Sequence, residues 1–262
     1  MFRRTVPLVL LAIGVAVVPG AAQSPVRDRQ ALVVAGQALS ALTPSVNVND
    51  IALQGTVAYT AGSDEETGVV TLEARGNAQT HIVLSLPGGQ RQEVRNGPAG
   101  YWTGPEGQQH PMAVHNCWPD APWFFPALSL QALSTDPQVS ILYTGVETRE
   151  GVALHHLRLF RTVPGQTPEM TAQIQRLSLV DLYLDAASYL PLVLAFKTHA
   201  DDDLNLDIPV EVQFSDYRLV NGVRVPFRIQ KSLQGSLLLD ITLSSVAINS
   251  GLPDSLFAVQ VQ

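Results

Sequence analysis

Short stretches of alternating apolar and polar residues dominate the chain from Ile51 onward. The clearest is VRVPFRIQK at 223–231, in which apolar side chains occupy alternate positions. A period of two places such side chains on one face of a β-strand. Runs rich in Val, Leu, Ile, Thr and Tyr, separated by Gly, Pro, Asn and Asp, predict strands at 51–60, 67–76, 79–86, 90–95, 100–104, 139–148, 152–163, 174–185, 190–199, 208–219, 223–233 and 236–248.

Two segments have helical spacing instead. Between Asp28 and Leu42 apolar residues recur every three or four positions and stop before Pro44, forming a face of Leu32, Val33, Ala35, Gly36, Leu39 and Leu42. The nearly all-apolar run PWFFPALSLQAL (122–133) predicts a second helix. Consecutive strands with one apolar face must curve around something, and these helices can fill the curve. The predicted fold class is therefore mainly β: a curved antiparallel sheet, or incomplete β-barrel, wrapped around a few helices.

The first 22 residues have the composition of a cleavable signal peptide. Arg3 and Arg4 precede an uncharged apolar run to Val18, and small residues follow up to Ala22. We expect cleavage after Ala22 and a single domain at 23–262. The apolar run is too short to cross a bilayer, which takes about 18 residues or more, and no later run approaches that length, so no membrane span is expected.

Charge and cysteine content narrow the function. Without Arg3 and Arg4, 14 basic and 23 acidic residues remain, a formal charge of −9. That charge disfavours nucleic acid and anionic membrane surfaces as partners. The sequence contains one cysteine, Cys117, so no intrachain disulfide can form and a buried structural thiol is expected.

The sequence predicts neither a metal site nor a catalytic site. His110, His115 and Cys117 lie within eight residues, but their spacing matches no well-defined zinc site. The acidic residues 201–203 fit a solvated hairpin tip better than a calcium site. The sequence has no Gly-x-Ser-x-Gly elbow and no glycine-rich phosphate loop. We therefore expect no cofactor, no metal ligand and no catalytic residue.

A series of short motifs in the C-terminal half is more specific. In order they are YLD (183–185), LP (190–191), FSDY (214–217), NGV (221–223), VPF (225–227) and INSGLPDSLF (248–257). These motifs, with the order of signal peptide, helix and strand meander, resemble the lipoprotein-carrier superfamily of LolA, LolB and related outer-membrane lipoprotein-sorting proteins. The resemblance implies a periplasmic protein with an acyl-chain-binding hollow between sheet and helices. The segment HNCWPDAPWFFPAL (115–128) departs from the carrier and indicates a divergent subfamily.

Bulky aromatic residues cluster around the second predicted helix. Aromatic rings with a polar tip suit the mouth of an apolar cavity. With the apolar faces of two strands they give the predicted lipid-binding set: Trp102, Trp118, Trp123, Phe124, Phe125, Leu128, Leu194, Phe196, Phe227 and Ile229. The alternative role for these side chains is to fill the core.

The sequence thus predicts a periplasmic carrier or binding protein that shields lipid acyl chains or lipoproteins in a hydrophobic cavity, with an envelope protein as receptor. The alternative is a non-catalytic envelope scaffold or sensor with a filled interior that binds another protein. A third hypothesis, a hydrolase of envelope lipids, requires an acid-base set inside the hollow. A lined hollow of several hundred Å³ favours the carrier, whereas close packing of Trp123, Phe124 and Leu128 favours the scaffold.

Overall fold

The computed structural model describes residues 24–119, 121–133 and 136–259. The expected signal peptide and its cleavage point lie outside this part of the chain. The helices are α1 (Arg29–Leu42), α2 (Val114–Cys117), α3 (Pro126–Ala132), α4 (Pro168–Leu177) and a 3-10 helix (Asp254–Phe257). The strands are β1 (Asp50–Ala61), β2 (Asp64–Arg75), β3 (Gln79–Leu86), β4 (Gly89–Asn96), β5 (Ala99–Thr103), β6 (Gln109–Pro111), β7 (Val139–Arg149), β8 (Val152–Arg161), β9 (Val180–Asp185), β10 (Pro191–Ala200), β11 (Asp203–Val220), β12 (Val223–Leu233) and β13 (Ser236–Ile248).

All thirteen strands belong to one antiparallel sheet, in the order β6-β5-β4-β3-β2-β1-β13-β12-β11-β10-β9-β8-β7. Strands adjacent in the chain are neighbours in the sheet except β6 and β7, and the pairing of β1 with β13 joins the two halves. The end strands β6 and β7 do not pair with each other. The sheet is nevertheless strongly curved. The curvature is shown by Glu93 of β4, which interacts electrostatically with Lys231 of β12 although four strands lie between them in the sheet. The predicted incomplete barrel is confirmed.

Each free edge of the sheet has its own local feature. Strand β6 is only three residues long and ends at Pro111. At the other edge, the segment before α1 runs parallel to β7. There Asp28 N–H donates to the carbonyl of Ile141 at 3.0 Å, and Ile141 N–H donates to the carbonyl of Val26 at 2.8 Å. The start of the described chain thus adds a short strand-like segment to the β7 edge.

Helix α1 begins and ends where the sequence predicts, but its buried face is different. The Asp28 side chain caps it by accepting from Ala31 N–H at 2.9 Å. Leu32 and Val33, expected on the apolar face, are 40% and 51% exposed. The buried residues are Ala31, Val34, Ala35, Ala38 and Leu42. Since α1 packs against α3, β7 and β12 at once, small alanine side chains suit the crowded face and the larger residues turn outward.

The predicted strand at 174–185 is wrong in its first part. Residues Pro168–Leu177 form α4, and the strand starts only at Val180. The Thr167 side chain caps α4 by accepting from Met170 N–H at 3.2 Å, and a proline follows at the first helical position. Thr171, Ile174 and Leu177 form its buried face with a spacing of three. Short β6 and α2 were not predicted either.

The core fills the concave side of the sheet. Trp123, Phe124 and Phe125 are at most 1% exposed and lie just before α3, which begins at Pro126 and not at the predicted Pro122. The alternation of β12 is confirmed, with Val223, Val225, Phe227 and Ile229 all buried. The turn Asn221-Gly222 joins β11 to β12 with positive φ at both residues, as a two-residue hairpin of this type requires. The core therefore sits between the curved sheet and helices α1 and α3.

Candidate ligand-binding site

An apolar cavity of about 300 Å³ lies between the sheet and the helices. Its apolar wall includes Trp118, Leu130, Leu159, Ile174, Leu182 and Leu194. These residues come from the segment after α2, from α3 and α4, and from β8, β9 and β10. Most of the lining is hydrocarbon, and the polar exceptions are Asn77, Ser129, Gln138, Arg161 and Ser178. A cavity of this volume is at the lower end of the range for small-molecule sites.

The predicted lipid-binding residues divide into three groups. Trp118 and Leu194 line the apolar cavity. Six others are buried in the core: Trp123, Phe124, Phe125, Leu128, Phe227 and Ile229. Trp102 and Phe196 line a second, smaller hollow. The structure therefore has the feature expected of a carrier and the feature expected of a scaffold. A lined cavity is present, and Trp123, Phe124 and Leu128 are closely packed.

The second hollow, of about 230 Å³, has charged side chains in its wall beside apolar ones, and sequence reasoning missed these charged residues. Glu93 and Arg95 of β4 and Lys231 of β12 line it. Arg95 Nε donates to Glu93 Oε1 at 2.8 Å, and the Arg95 side chain is only 8% exposed. Lys231 Nζ lies 4.3 Å from the centre of the Trp123 ring, a cation–π contact. We call this hollow the charged pocket.

Burial and mutual attraction set the charges in the charged pocket. Burial lowers the pKa of Lys231 to about 8, and Arg95 adds to that effect while Glu93 opposes it. Burial alone would raise the pKa of Glu93, but Arg95 and Lys231 together hold it below its usual value. At neutral pH Arg95 and Lys231 therefore carry positive charges and Glu93 a negative charge, and the carboxylate of Asp201 also lines the pocket.

A signal for the charged pocket was present in the sequence of β4. The strand GQRQEVRN has no apolar face, although its neighbour β3 contributes Ile82 and Leu84 to the core. Glu93 pairs with Ile82 and Trp102 in the sheet, so it shares the concave face with that core residue. A strand with charged residues facing a dry interior indicates a polar site. Its partner Lys231 could not be inferred, because β12 is distant in sequence.

A polar latch holds α2 against the end of β10. We define it as the side chains of Asn116, Asp201 and Trp102. Asn116 Nδ2 donates to the carbonyl of His199 at 2.8 Å and to Asp201 Oδ1 at 3.1 Å. Asn116 Oδ1 accepts from His199 N–H at 2.9 Å. Asp201 also accepts from Trp102 Nε1 at 3.4 Å, and it lies in the exposed turn between β10 and β11, which agrees with the expected solvated hairpin tip.

The histidines and the cysteine near α2 have separate surroundings. His110 stacks on Trp102 with ring centres 4.3 Å apart, and His115 Nε2 lies 3.3 Å from the carbonyl oxygen of Ala200. Cys117 is buried, and burial raises the pKa of its thiol. In the part of the chain that the structure describes, no three His, Cys, Asp or Glu side chains come together as a group that could hold a metal ion. Over the same residues, no helix has both the length and the apolar composition that crossing a bilayer requires.

Comparison with known proteins identifies the fold. No family model and no curated protein matches the sequence. A solved outer membrane lipoprotein-sorting protein domain from Vibrio parahaemolyticus has a TM-score of 0.54 at 13% identity, covering 87% of this chain and 96% of its own. A LolA superfamily protein from Nitrosomonas europaea has a TM-score of 0.54 at 12% identity, covering 87% and 97%. The protein has a LolA-like fold.

A DUF1329 family protein from Desulfovibrio piger shares this LolA-like fold, with a TM-score of 0.52 at 12% identity over 90% of this chain and 98% of its own. At such identities the likeness concerns the path of the backbone and carries no site residue across. It does confirm the LolA-like fold that the sequence predicted. The cavity and the charged pocket must therefore be interpreted from this chain's own side chains.

Proposed function

We propose that this LolA-like protein is a periplasmic carrier or binding protein that shields an acyl chain of a lipid or lipoprotein. The observation that carries the proposal is the apolar cavity between the sheet and helices α3 and α4. The likeness to lipoprotein-sorting structures supports the same reading, as does the expected signal peptide at residues 1–22. Binding of this kind needs no covalent chemistry and no cofactor.

The energetics of the cavity suit one acyl chain. Each methylene transferred from water into an apolar site contributes about 0.8 kcal/mol. Part of that gain is lost to ordering of the ligand and the surrounding side chains. Because the cavity holds about 300 Å³, we propose a ligand that inserts a single chain, with Trp118 and Leu194 in direct contact. The buried residues Trp123, Phe124 and Phe125 belong to the packed core before α3 and do not line the cavity.

The first experiment is extraction of the purified mature chain, from residue 23, with organic solvent, followed by mass spectrometry for stoichiometric lipid. The second is titration of the delipidated protein with a fluorescent fatty-acyl probe. Leu194→Trp fills the cavity from β10, so we expect probe affinity to fall at least about tenfold while the circular dichroism spectrum stays native.

Ala195→Trp is the matched control, because it adds a larger side chain at the next position of β10, on the opposite face. We expect it to leave probe affinity unchanged. If Leu194→Trp does not fold, Ala78→Phe at the β2–β3 turn narrows the same cavity from another wall. Absence of bound lipid together with no probe uptake by the wild type would reject the carrier.

An envelope scaffold is the second candidate. The observation that favours it is the close packing of Trp123, Phe124 and Phe125, which fills much of the interior. A scaffold predicts that the protein carries no lipid and that Leu194→Trp affects stability alone. The same two experiments therefore distinguish the scaffold from the carrier.

A further inference from the structure

We propose that the charged pocket binds the single negative charge of an amphiphile's head group, whose acyl chain lies toward the apolar cavity. This inference rests on the proposed function and narrows its ligand to acidic amphiphiles. The shared chemistry is a monoanion with two oxygen acceptors, either a carboxylate or a phosphodiester. Neutral lipids of equal chain length are excluded as preferred ligands.

The first argument is an unpartnered guanidinium. Arg95 Nε donates a hydrogen bond to Glu93. The buried Nη1 of Arg95 has no hydrogen-bond partner among the described residues. Buried donors without a partner are rare, because each costs free energy comparable to a lost hydrogen bond. The Arg95 side chain is more than nine-tenths buried and lines the hollow. An oxygen of a bound anion would satisfy Nη1.

The second argument is an unpaired ammonium on the facing wall. Lys231 has no carboxylate within ion-pair distance among the described residues, and Glu93 pairs with Arg95 instead. Lys231 is half-buried, and holding a charge in a partly dry site without a carboxylate partner costs free energy. Glu93 raises and Arg95 lowers the pKa of Lys231, and the carboxylate of Asp201 shares the lining of the pocket. The carboxylate of Asp201 is already engaged by Asn116 and the N–H of Ala113.

The third argument is the position of the charged pocket beside the apolar cavity. Asn116 lines the charged pocket and the next residue, Cys117, lines the cavity. On β10, Phe196 lines the former and Leu194 the latter. The pKa of Cys117 responds to Arg95 and Glu93, which shows that the two hollows lie close together. An acyl chain attached to an anion in the charged pocket would therefore follow β10 toward the cavity.

The test compares ligands of equal chain length on the delipidated mature chain by isothermal titration calorimetry. We expect laurate to bind at least about tenfold more tightly than dodecanol, since a charge-assisted hydrogen bond is worth about one such factor or more. Lys231→Met should remove most of that preference and leave dodecanol affinity within about twofold. Lauroyl lysophosphatidylglycerol shows which anionic head group the pocket prefers. Tighter binding than laurate identifies a phosphodiester, and weaker binding identifies a carboxylate.

Arg228→Met is the matched control, because it removes a positive charge from the exposed side of the same strand, β12. Arg228→Met should change neither the affinity for laurate nor the affinity for dodecanol. Equal binding of laurate and dodecanol by the wild type, or unchanged laurate binding by Lys231→Met, would overturn the inference while leaving the carrier intact. Failure of the wild type to bind either ligand would reject both.

Discussion

At the scale of single residues, Lys231 departs most from what folding alone favours. A lysine at the interior end of an otherwise apolar alternation, with no carboxylate partner among the described residues, destabilises the fold that contains it. The sequence predicted the strand and its apolar residues correctly, since they follow the pleat. It could not show that Lys231 meets Arg95, because that proximity depends on the curvature of the whole sheet. Functional sites are often where local patterning and stability disagree.

Lys231→Met should therefore raise the free energy of unfolding at pH 7 by about 1–3 kcal/mol. The folded-state pKa of Lys231, about 8, lies below its ordinary value of 10.5, so the unfolded chain binds this proton more tightly. The wild type consequently gains stability as pH rises from 8 toward 10.5, and the advantage of the variant shrinks over that window. Urea unfolding of both proteins at pH 7 and pH 10 measures the difference. An advantage that grows with pH would contradict this account.

At the scale of elements, local signals decided most of the boundaries. Strands β3, β12 and β13 have the bounds that the sequence predicted, because alternation and turn residues agree there. Helix α4 was missed because Ile174 and Leu177 also suit a strand, and the Thr167-Pro168 start was the signal that separates the two. On α1 the helix was correct and the face was wrong, since only the neighbours α3, β7 and β12 determine which side is buried.

Substituting alanine for glycine should have opposite effects on stability at two positions, Gly55 of β1 and Gly36 of α1. At Gly55, where the β1–β13 register shifts, an added Cβ would lie 2.2 Å from the backbone oxygen of Thr242. Gly55→Ala should lower the free energy of unfolding by about 2–4 kcal/mol. Gly36 is an exposed position of α1 with no atom within 4 Å of an added Cβ. Gly36→Ala should raise the free energy of unfolding by about 0.5–1 kcal/mol. Urea denaturation measures both, and a similar effect at the two sites would contradict the steric argument.

At the scale of the whole molecule, the sheet is held in its curved shape by contacts between strands far apart in its order. The polar latch is the most specific of these, because Asn116 ties the β5–α2 side to the end of β10. The latch was not predictable, since it arises where distant parts of the chain meet, whereas a hollow between sheet and helices was expected from the family resemblance alone. The fold class was predictable, because it follows from alternation repeated in many strands.

Asn116→Ala should loosen the latch and expose the cavity. Four hydrogen bonds of the side chain are lost, including those to His199 and Asp201, and the His199 N–H loses its acceptor. Cys117, the neighbouring residue on the cavity wall, should then react with a thiol reagent at least about tenfold faster than in the wild type. Asn205→Ala, at an exposed position of β11, is the control. Equal labelling rates in all three proteins would show that the latch does not guard the cavity.

The two ends of the sheet also bear on how the protein behaves at high concentration. An uncovered strand edge is a template on which another chain can pair, and long flat edges lead to aggregation. Here one edge is a three-residue strand that ends in proline, and the other is occupied over part of its length by Val26–Asp28, which bonds to Ile141. Both margins of the sheet are therefore poorly suited to pairing with another copy of the chain.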